Sequence, residues 1–337
     1  MMSSHLHFLN EDEADRRLAL NPKDVEALVA KGSHRSLAGE RRAAIAFYRT
    51  ALRHGSASNL DVQRLLDEMR GELDELERGI LPHTIEQLRQ AGFPRQDWHP
   101  RFEKAFEIMT GTRSREPTRV RFPQVPTMFY YPDLPQMYFF DAREFNWCEQ
   151  VQKASGSIRD EGLALLARDG DFEPYVRSRG DRPQGDVHGM LDNRDWTTFD
   201  LTEKGQPILE RIERAPSTWS TISAAAPLCN IPNRAPTVMF SLLKASRSIP
   251  PHTGMINARL ICHLPLVVPG EAELRVGEER RQWQEGELLA FDDSVEHEAW
   301  NSATKDRLVL IFDVWHPSLE EIEKDQIRAL FSAVDAY

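Results

Sequence analysis

The feature that most constrains the fold of this chain is the alternation of residue types between Ala258 and Leu266. Apolar residues occupy every second position, and Arg259, Ile261 and His263 lie between them. Successive side chains of a β-strand point to opposite faces, so a period of two predicts a strand with one apolar face. Arg259 and His263 then share the other face, and this combination suggests a ligand pocket.

Short apolar runs continue beyond this strand and are separated by turn signals such as Pro-Gly, Val-Gly, Glu-Gly and Asn-Ser. The runs cover residues 273–276, 286–291, 296–300 and 307–314. Several strands at such close spacing predict a small antiparallel barrel or jelly roll.

Composition limits the classes of protein to consider. The 337 residues suffice for one large domain or two ordinary ones, and the net charge of -11 argues against a nucleic-acid partner. Cys148, Cys229 and Cys262 are odd in number and far apart, which indicates a reducing compartment and neither a disulfide framework nor a zinc site. The amino terminus lacks an apolar signal core, and no run of about 18 apolar residues occurs. We therefore expect a soluble, cytoplasmic protein without a membrane partner.

Residues 21–55 have the pattern of a helical hairpin, with apolar residues at helical spacing on both sides of a polar turn. With Tyr48 on the second helix, Leu28 and Gly32 stand where a tetratricopeptide repeat has an apolar residue and a glycine. A single repeat does not bury its own face, so helices within residues 60–91 are expected to stack on it. The region is either a helical cap or a groove for a protein partner.

Prolines become frequent across residues 93–135, which argues against a continuous helix there. We place a domain boundary near residue 115. The expected organisation is an α-helical, tetratricopeptide-like domain at residues 1–115 and a barrel domain at residues 116–337.

Two stretches of the second domain add candidate site residues. A polar, irregular loop is predicted over residues 185–201, and it contains Arg194 and Trp196. This loop either lines a cleft or forms an ordered surface turn. A strand over residues 237–243 begins the barrel, and its alternation places Ser241 opposite to its apolar neighbours.

His252 and His297 are the candidate metal ligands. Neutral imidazole is a common ligand of Fe(II), and two imidazoles from different strands leave open positions for substrate and oxygen. Taken singly, a histidine is more often a hydrogen-bonded core or surface residue. The usual non-haem iron site adds a carboxylate two residues after the first histidine, but Gly254 stands there. Read strictly, the metal triad is broken.

Three motifs in order connect the chain to a known family. They are PHTGxxNxRLxxHLxL from Pro251, WxEGxLLxFDDSxEHEAWN from Trp283 and RLxLIFDVWHP from Arg307. Residues 140–320 thereby resemble the aspartyl/asparaginyl β-hydroxylase family of Fe(II)- and 2-oxoglutarate-dependent oxygenases. Some members of that family carry tetratricopeptide repeats ahead of the catalytic domain. The resemblance implies an α+β fold whose catalytic domain is a double-stranded β-helix, a jelly-roll or cupin-like barrel.

The resemblance also implies a metal site. In that family a glycine replaces the usual carboxylate, so Gly254 agrees with this branch. His252 and His297 are then the iron ligands, with water in the place of the missing carboxylate. Arg307 becomes the partner of the distal carboxylate of 2-oxoglutarate.

Further residues around the co-substrate follow from the same resemblance. Ser241 and His263 are implied as helpers of the arginine that binds 2-oxoglutarate. One departure is Ile261, where the better-known members carry a second co-substrate-binding arginine, although Arg259 is retained as a candidate.

The implied reaction is hydroxylation of a substrate C–H bond by O2, with release of succinate and CO2 from 2-oxoglutarate. The family suggests an aspartyl or asparaginyl residue in a peptide or protein, or a related amino acid, and Arg194 and Trp196 are candidates for binding it. The alternatives are a catalytically inactive peptide-binding scaffold and a cupin-like metalloprotein that acts without 2-oxoglutarate.

Strand geometry gives an independent expectation for the arginine. If the chain turns back after the second histidine strand, Arg307 lies opposite a residue near Trp300, roughly 10 Å from His297 at about 3.3 Å per residue. A five-carbon diacid bridges that gap, and the planar guanidinium suits its far carboxylate. Without the motif, a salt bridge to Asp292 or Asp293 is an equal explanation. These two aspartates either orient metal ligands or form a turn.

Overall fold

The structure, a computed structural model, describes residues 9–55, 60–168, 170, 172–177, 183 and 189–337. The chain divides into two compact units. The first contains the chain up to Gln96 together with Arg177–Val187 and Ala329–Tyr337, and the second contains Asp97–Val176 and His188–Arg328. The domain boundary near residue 115 stays a prediction.

The first unit is mainly helical, as the sequence predicted. Its helices are α1 (Glu11–Leu20), α2 (Val25–Leu37), α3 (Arg41–His54) and α4 (Leu60–Gln90). The side chains of Asn10 and Asp24 accept hydrogen bonds from backbone N–H groups three residues ahead, which explains where α1 and α2 begin.

Helices α2 and α3 form the expected hairpin, and a glycine sets how closely they approach. A Cβ atom added at Gly32 would lie 2.4 Å from the ring of Tyr48, so only glycine fits beneath that ring. The Tyr48 hydroxyl bonds to Ser33 at 3.0 Å and to Glu72 of α4 at 2.8 Å. These contacts agree with the positions chosen from the sequence, while the tetratricopeptide assignment itself stays a prediction.

The rest of the chain adds six helices and thirteen strands in the described residues. The helices are α5 (Pro100–Met109), α6 (Cys148–Lys153), α7 (Ser155–Leu166), α8 (Leu209–Ile212), α9 (Pro216–Ala225) and α10 (Glu321–Asp335). The strands are β1 (Phe139–Phe140), β2 (Glu173–Pro174), β3 (Trp196–Asp200), β4 (Thr202–Glu203), β5 (Gln206–Pro207), β6 (Val238–Leu243), β7 (Arg247–His252), β8 (Arg259–Val267), β9 (Ala272–Val276), β10 (Glu279–Gln282), β11 (Leu289–Phe291), β12 (His297–Asn301) and β13 (Arg307–Trp315). Among the helices that the structure describes, none combines the length and apolar character needed to cross a bilayer.

Two antiparallel sheets form the barrel. The larger has the strand order β1-β11-β8-β13-β6-β3-β2, and the smaller has the order β10-β9-β12-β7. Strands that are distant in sequence lie side by side in both sheets, as in a jelly roll. The predicted α+β class, with a double-stranded β-helix preceded by helices, is confirmed.

The alternation along β8 is also confirmed. Leu260 and Leu264 pack with Ile158 of α7 and Ile222 of α9 in an apolar cluster on the helical side of the large sheet. Ile261 belongs instead to a second cluster that contains side chains of both sheets, and we call this space the barrel interior.

One expected strand pairing is wrong. Strand β12 pairs with β7 and β9 in the small sheet, whereas β13 pairs with β6 and β8 in the large one. The Cα partner of Arg307 is therefore Leu243 and not a residue near Trp300. The connection after β12 crosses from one sheet to the other, a step that residue spacing alone does not reveal.

The loop predicted over residues 185–201 differs at its end. Residues 185–188 lie outside the described part of the chain, and Trp196–Asp200 form strand β3. The threonine and aromatic residues of this segment favour a strand and pair with β6.

Candidate functional site

The two candidate metal ligands lie side by side. His252 ends β7 and His297 begins β12, and their Cα atoms are paired across the small sheet. The two imidazole ring centroids are 4.1 Å apart, with an angle of 51° between the ring planes.

Backbone carbonyls orient both rings. Nδ1 of His252 lies 2.8 Å from the carbonyl oxygen of Pro250, and Nδ1 of His297 lies 3.0 Å from that of Val295. A carbonyl only accepts, so in the neutral rings Nδ1 carries the proton and Nε2 carries the lone pair. This is the tautomer and the kind of support that metal-binding histidines have.

Burial keeps the second histidine neutral. The pKa of His297 is lowered to about 3, first by burial and then by the neighbouring His252. A neutral imidazole is the form that binds a metal ion.

A carboxylate stands where a side chain at position 254 would be. A Cβ atom added at Gly254 would lie 2.0 Å from Oδ2 of Asp293 and 2.6 Å from its Oδ1. The N–H of Gly254 also donates to the carbonyl of Asp293 at 2.6 Å. The glycine and the aspartate therefore form one unit, in which the carboxylate comes from the neighbouring loop.

A buried arginine holds that carboxylate. Nη2 of Arg259 donates to Oδ2 of Asp293 at 3.2 Å, and Nη1 donates to Oδ2 of Asp313. Oδ1 of Asp293 is buried and has no hydrogen-bond partner among the described residues. The pKa values of both aspartates are raised by burial, against the opposing effect of the arginine, and that of Asp313 reaches about 6.

Arg307 lies in the barrel interior, and it forms no ion pair with any residue that the structure describes. Its Nε and Nη1 are buried and have no hydrogen-bond partner in the described part of the chain. The guanidinium carbon lies 4.3 Å from the ring centroid of Trp283, and burial lowers the pKa of this arginine to about 9. A buried, unpartnered guanidinium is costly, which points to a ligand with an acceptor group.

His263 and Ser241 are also buried in the interior. Nδ1 of His263 has no hydrogen-bond partner within the described residues. Its pKa is lowered well below 6.5 by burial and then by Arg307 and His297, so it lies close to both. Ser241 accepts a hydrogen bond of 3.0 Å from Nε1 of Trp196.

The two candidate substrate residues behave differently. Trp196 is buried, its ring centroid is 6.3 Å from that of His252, and Tyr175 stacks on it at 4.1 Å. Arg194 is exposed and donates to the carbonyl oxygen of Phe172 at 3.2 Å. The structure brings the ring of Trp196 to within 6.3 Å of that of His252, whereas the hydrogen bond of Arg194 within the described residues is to Phe172 and not to the histidine pair.

Sequence reasoning gave no role to three residues near the site. Trp283 lies under the arginine, Tyr175 stacks on Trp196, and Asp313 anchors Arg259. Asp313 was detectable, because it has the same strand parity as Arg307. Nothing in the sequence pattern singled out Tyr175.

A second acidic cluster is structural. Ligand atoms of His99, Glu320 and Glu323 lie within 4.8 Å of one another. The Glu323 carboxylate already accepts from Arg101 at 2.5 Å and from the Tyr131 hydroxyl at 2.7 Å. An arginine in that position opposes a cation, so this cluster is not a candidate metal site.

The strand order and the interior define a class of protein, a cupin-like barrel with two paired imidazoles. Residues 152–317 match the family model described as Aspartyl/Asparaginyl beta-hydroxylase. The predicted resemblance is confirmed: this part of the chain is similar to that hydroxylase family.

Curated relatives agree with the family model. The mouse aspartyl/asparaginyl beta-hydroxylase is 32% identical over 193 residues, which is 56% of this chain and 24% of the relative. The human protein of the same name is 33% identical over 175 residues, 51% of this chain and 21% of the relative. The ornithine lipid ester-linked acyl 2-hydroxylase of Rhizobium tropici is 32% identical over 181 residues, 53% of this chain and 60% of that protein. The chain thus spans about a quarter of the length of the two mammalian relatives.

Proposed function

We propose that this protein is an Fe(II)- and 2-oxoglutarate-dependent dioxygenase that hydroxylates a substrate C–H bond. The paired imidazoles of His252 and His297, together with a buried guanidinium whose Nε and Nη1 have no partner among the described residues, carry this proposal. When bound, the iron activates O2 for oxidation of the substrate while 2-oxoglutarate is converted to succinate and CO2.

The donor set fits Fe(II). His252 and His297 offer Nε2 lone pairs from rings whose Nδ1 atoms are held by backbone carbonyls. Asp293 supplies a carboxylate beside Gly254, and Oδ1 of that carboxylate is an acceptor without a protein partner among the described residues. We assign Arg259 to holding Asp293 in this orientation, and its earlier assignment to the co-substrate stays a prediction.

The interior fits a dicarboxylate. Arg307 is proposed to bind the distal carboxylate of 2-oxoglutarate, because its Nε and Nη1 are buried donors without a partner among the described residues and a guanidinium makes charge-assisted hydrogen bonds to a carboxylate. His263 and Ser241 are proposed to bind the same carboxylate. Ile261, which is buried on the same strand face as His263, makes that side of the pocket apolar.

The substrate class is proposed from the relatives. An aspartyl or asparaginyl residue in a peptide or protein comes first, and a related amino acid comes second. The name of the Rhizobium tropici relative adds an acyl chain to the substrates worth testing. Trp196 and Tyr175 are proposed to form one wall of the substrate site, and Arg194 is retained as a candidate contact.

The test begins with anaerobic addition of Fe(II) and 2-oxoglutarate to the purified protein, followed by exposure to air and measurement of succinate. Pools of peptides, amino acids and acyl conjugates are then searched by mass spectrometry for the gain of one oxygen atom. We expect more succinate to form when the added pool contains the substrate than when it does not. Binding without turnover in every pool would favour the inactive scaffold instead.

Two matched variants distinguish loss of 2-oxoglutarate binding from a general effect of removing an arginine from the barrel. Arg307→Met removes the unpartnered guanidinium, whereas Arg275→Met removes one that is paired with Glu296 and Glu298. We expect loss of 2-oxoglutarate binding only in the first. Full activity of Arg307→Met would instead support a cupin-like metalloprotein that acts without 2-oxoglutarate.

A further inference from the structure

A segment outside the family match crosses two loops of the barrel. We call residues 124–131 the strap. The N–H of Val125 donates to the carbonyl of Ser294 at 2.7 Å, and the N–H of Thr127 donates to the carbonyl of Gly254 at 3.0 Å. The strap is therefore bonded both to the loop after the first candidate ligand and to the loop before the second.

Beneath the strap lies a buried polar knot formed by Gln124, Asn257 and Asp292. Nε2 of Gln124 donates to Oδ2 of Asp292 at 2.6 Å, and Nδ2 of Asn257 donates to Oε1 of Gln124 at 3.1 Å. One glutamine side chain thus joins the two loops that flank the histidines.

Each end of the knot is anchored further. The side chain of Asn257 accepts from the N–H of Tyr131 at 2.6 Å and donates to its carbonyl at 2.8 Å. Oδ1 of Asp292 accepts from the N–H of Ser294 at 2.9 Å and from its hydroxyl at 2.6 Å. Because these groups are buried and bonded on several sides, the knot has little freedom to move.

The ladder between β7 and β12 is irregular beside the two imidazoles. Strands β7 and β12 are paired at His297 and His252, but the register shifts between His297 and Ala299. A bulge at that point interrupts the regular hydrogen bonds beside the ligands. Contacts from outside the two strands therefore have a part to play in the separation of the rings.

We propose that Gln124 is a positioning residue for the two-histidine metal site. Through Asn257 and Asp292 it sets the distance between the two loops that flank the imidazoles. The inference rests on the proposed function, because it takes those imidazoles as metal ligands. It also extends the metal-binding unit to a residue ahead of the family match at 152–317.

A single variant and a double variant test this role. In the double variant the negative charge moves from position 292 to position 124. Gln124→Glu faces the Asp292 carboxylate with a second carboxylate and removes the donor between them. Adding Asp292→Asn restores a donor, so the double variant again has every hydrogen bond of the knot. Gln136→Glu is the matched control, because it makes the same change on an exposed side chain whose Oε1 still accepts from the N–H of Gln124. It loses one exposed hydrogen bond, from Nε2 to the carbonyl of Phe122.

The probe is Co2+ added to the full chain, with its dissociation constant and its visible absorption spectrum as readouts. We expect Gln124→Glu to bind Co2+ about 10- to 100-fold more weakly, as when a group that orients a metal ligand is lost. The spectrum should change in the single variant and return to that of the wild type in the double variant. The control should match the wild type.

Two results would overturn the role of Gln124. One is a folded Gln124→Glu protein with wild-type affinity and spectrum, even if its unfolding temperature is lower. The other is failure of the double variant to recover although it folds. If Gln124→Glu does not fold, Gln124→Met is measured against the same criterion. Absence of Co2+ binding by the wild type is a different result, and it would remove the proposed function itself.

Discussion

Lys31 in the helical unit and Arg307 in the barrel are both almost completely buried, with 2% and 1% of their surface exposed. Nζ of Lys31 bonds to Glu11 at 2.9 Å and to Asp15 at 2.8 Å. Arg307 has two nitrogen atoms without a partner in the described residues and lies over an aromatic ring. A buried charge is tolerated when it is paired and costs free energy when it is not. The first charge therefore supports the fold, and the second is available to a ligand.

Two glycines repeat this contrast. The space beside Gly32 is filled by the ring of Tyr48, and the space beside Gly254 is filled by the carboxylate of Asp293. The first contact lets two helices approach. The second brings an acidic group next to the histidine pair, so the same steric requirement serves packing in one region and chemistry in the other.

The largest effect is expected at the two buried cations. Arg307→Met should weaken 2-oxoglutarate binding by about 100-fold or more, because charge-assisted hydrogen bonds to a carboxylate are lost. Its unfolding free energy should not fall, since an unpaired buried charge has been removed. Lys31→Met should do the opposite, leaving co-substrate affinity intact and lowering stability by about 1 kcal/mol, because its carboxylate partners are half exposed.

Isothermal titration with 2-oxoglutarate in the presence of Mn2+ and urea unfolding of both variants measure these quantities. The contrast between the regions breaks if Arg307→Met loses as much stability as Lys31→Met while its 2-oxoglutarate affinity is unchanged.

Local patterns were sufficient to predict part of this site. Strand parity placed Arg259 and His263 on one face, and the motifs selected His252 and His297. The alternation of side chains is a property of a single strand, so it can be predicted without knowing the fold. Parity also marked Asp313 as a residue on the same strand face as Arg307, but its pairing with Arg259 was out of reach, because the two residues are 54 positions apart and no spacing rule joins them.

Pairing between strands was the weaker part of the sequence interpretation. The expected hairpin after His297 assumed that consecutive strands share a sheet, but β12 and β13 lie in different sheets. The link from Gln124 to Asp292 spans 168 residues. Contacts between residues so far apart depend on how the whole chain packs. No periodic pattern in a single sequence predicts them.

The two regions should also respond to acid in opposite directions. Burial raises the pKa of Asp292 to about 6, whereas a hydrogen bond from Lys31 lowers the pKa of Glu11. A raised pKa gives stability that is complete below about pH 4 and is lost as the pH rises through about 6, a contribution of about 3 kcal/mol at most. A lowered pKa gives stability that is lost on acidification.

Hydrogen exchange of the native protein between about pH 3 and pH 7 resolves the two regions. Asp292→Asn should flatten the pH dependence of the barrel amides without altering that of the helical amides. The pKa of Asp313 is also raised to about 6, so the stability of the barrel in this variant should still fall as the pH rises, but less steeply. An unchanged slope in Asp292→Asn would contradict the assignment.

The next largest effect on stability is expected from substitution of Gly254 in the barrel. Gly254→Ala should lower the unfolding free energy by about 1–3 kcal/mol, because its Cβ overlaps the Asp293 carboxylate. In an Asp293→Ala background the same substitution should cost much less, and the four proteins form a double-mutant cycle in urea. Gly156→Ala is the control, since nothing lies within 4 Å of its Cβ. Additive costs would mean that glycine and carboxylate do not act as one unit.

The smallest effect is expected at the helical glycine. Gly32→Ala should lower the unfolding free energy by about 1–2 kcal/mol, because the Tyr48 ring must move aside. Gly71→Ala in α4 meets open space and should instead stabilise by up to about 1 kcal/mol. Neither change should alter the Co2+ dissociation constant of the folded protein, since the histidine pair lies in the other unit. A shift in that constant for Gly32→Ala would show that packing of the helices also controls the metal site, and the separation of structural from functional glycines would fail.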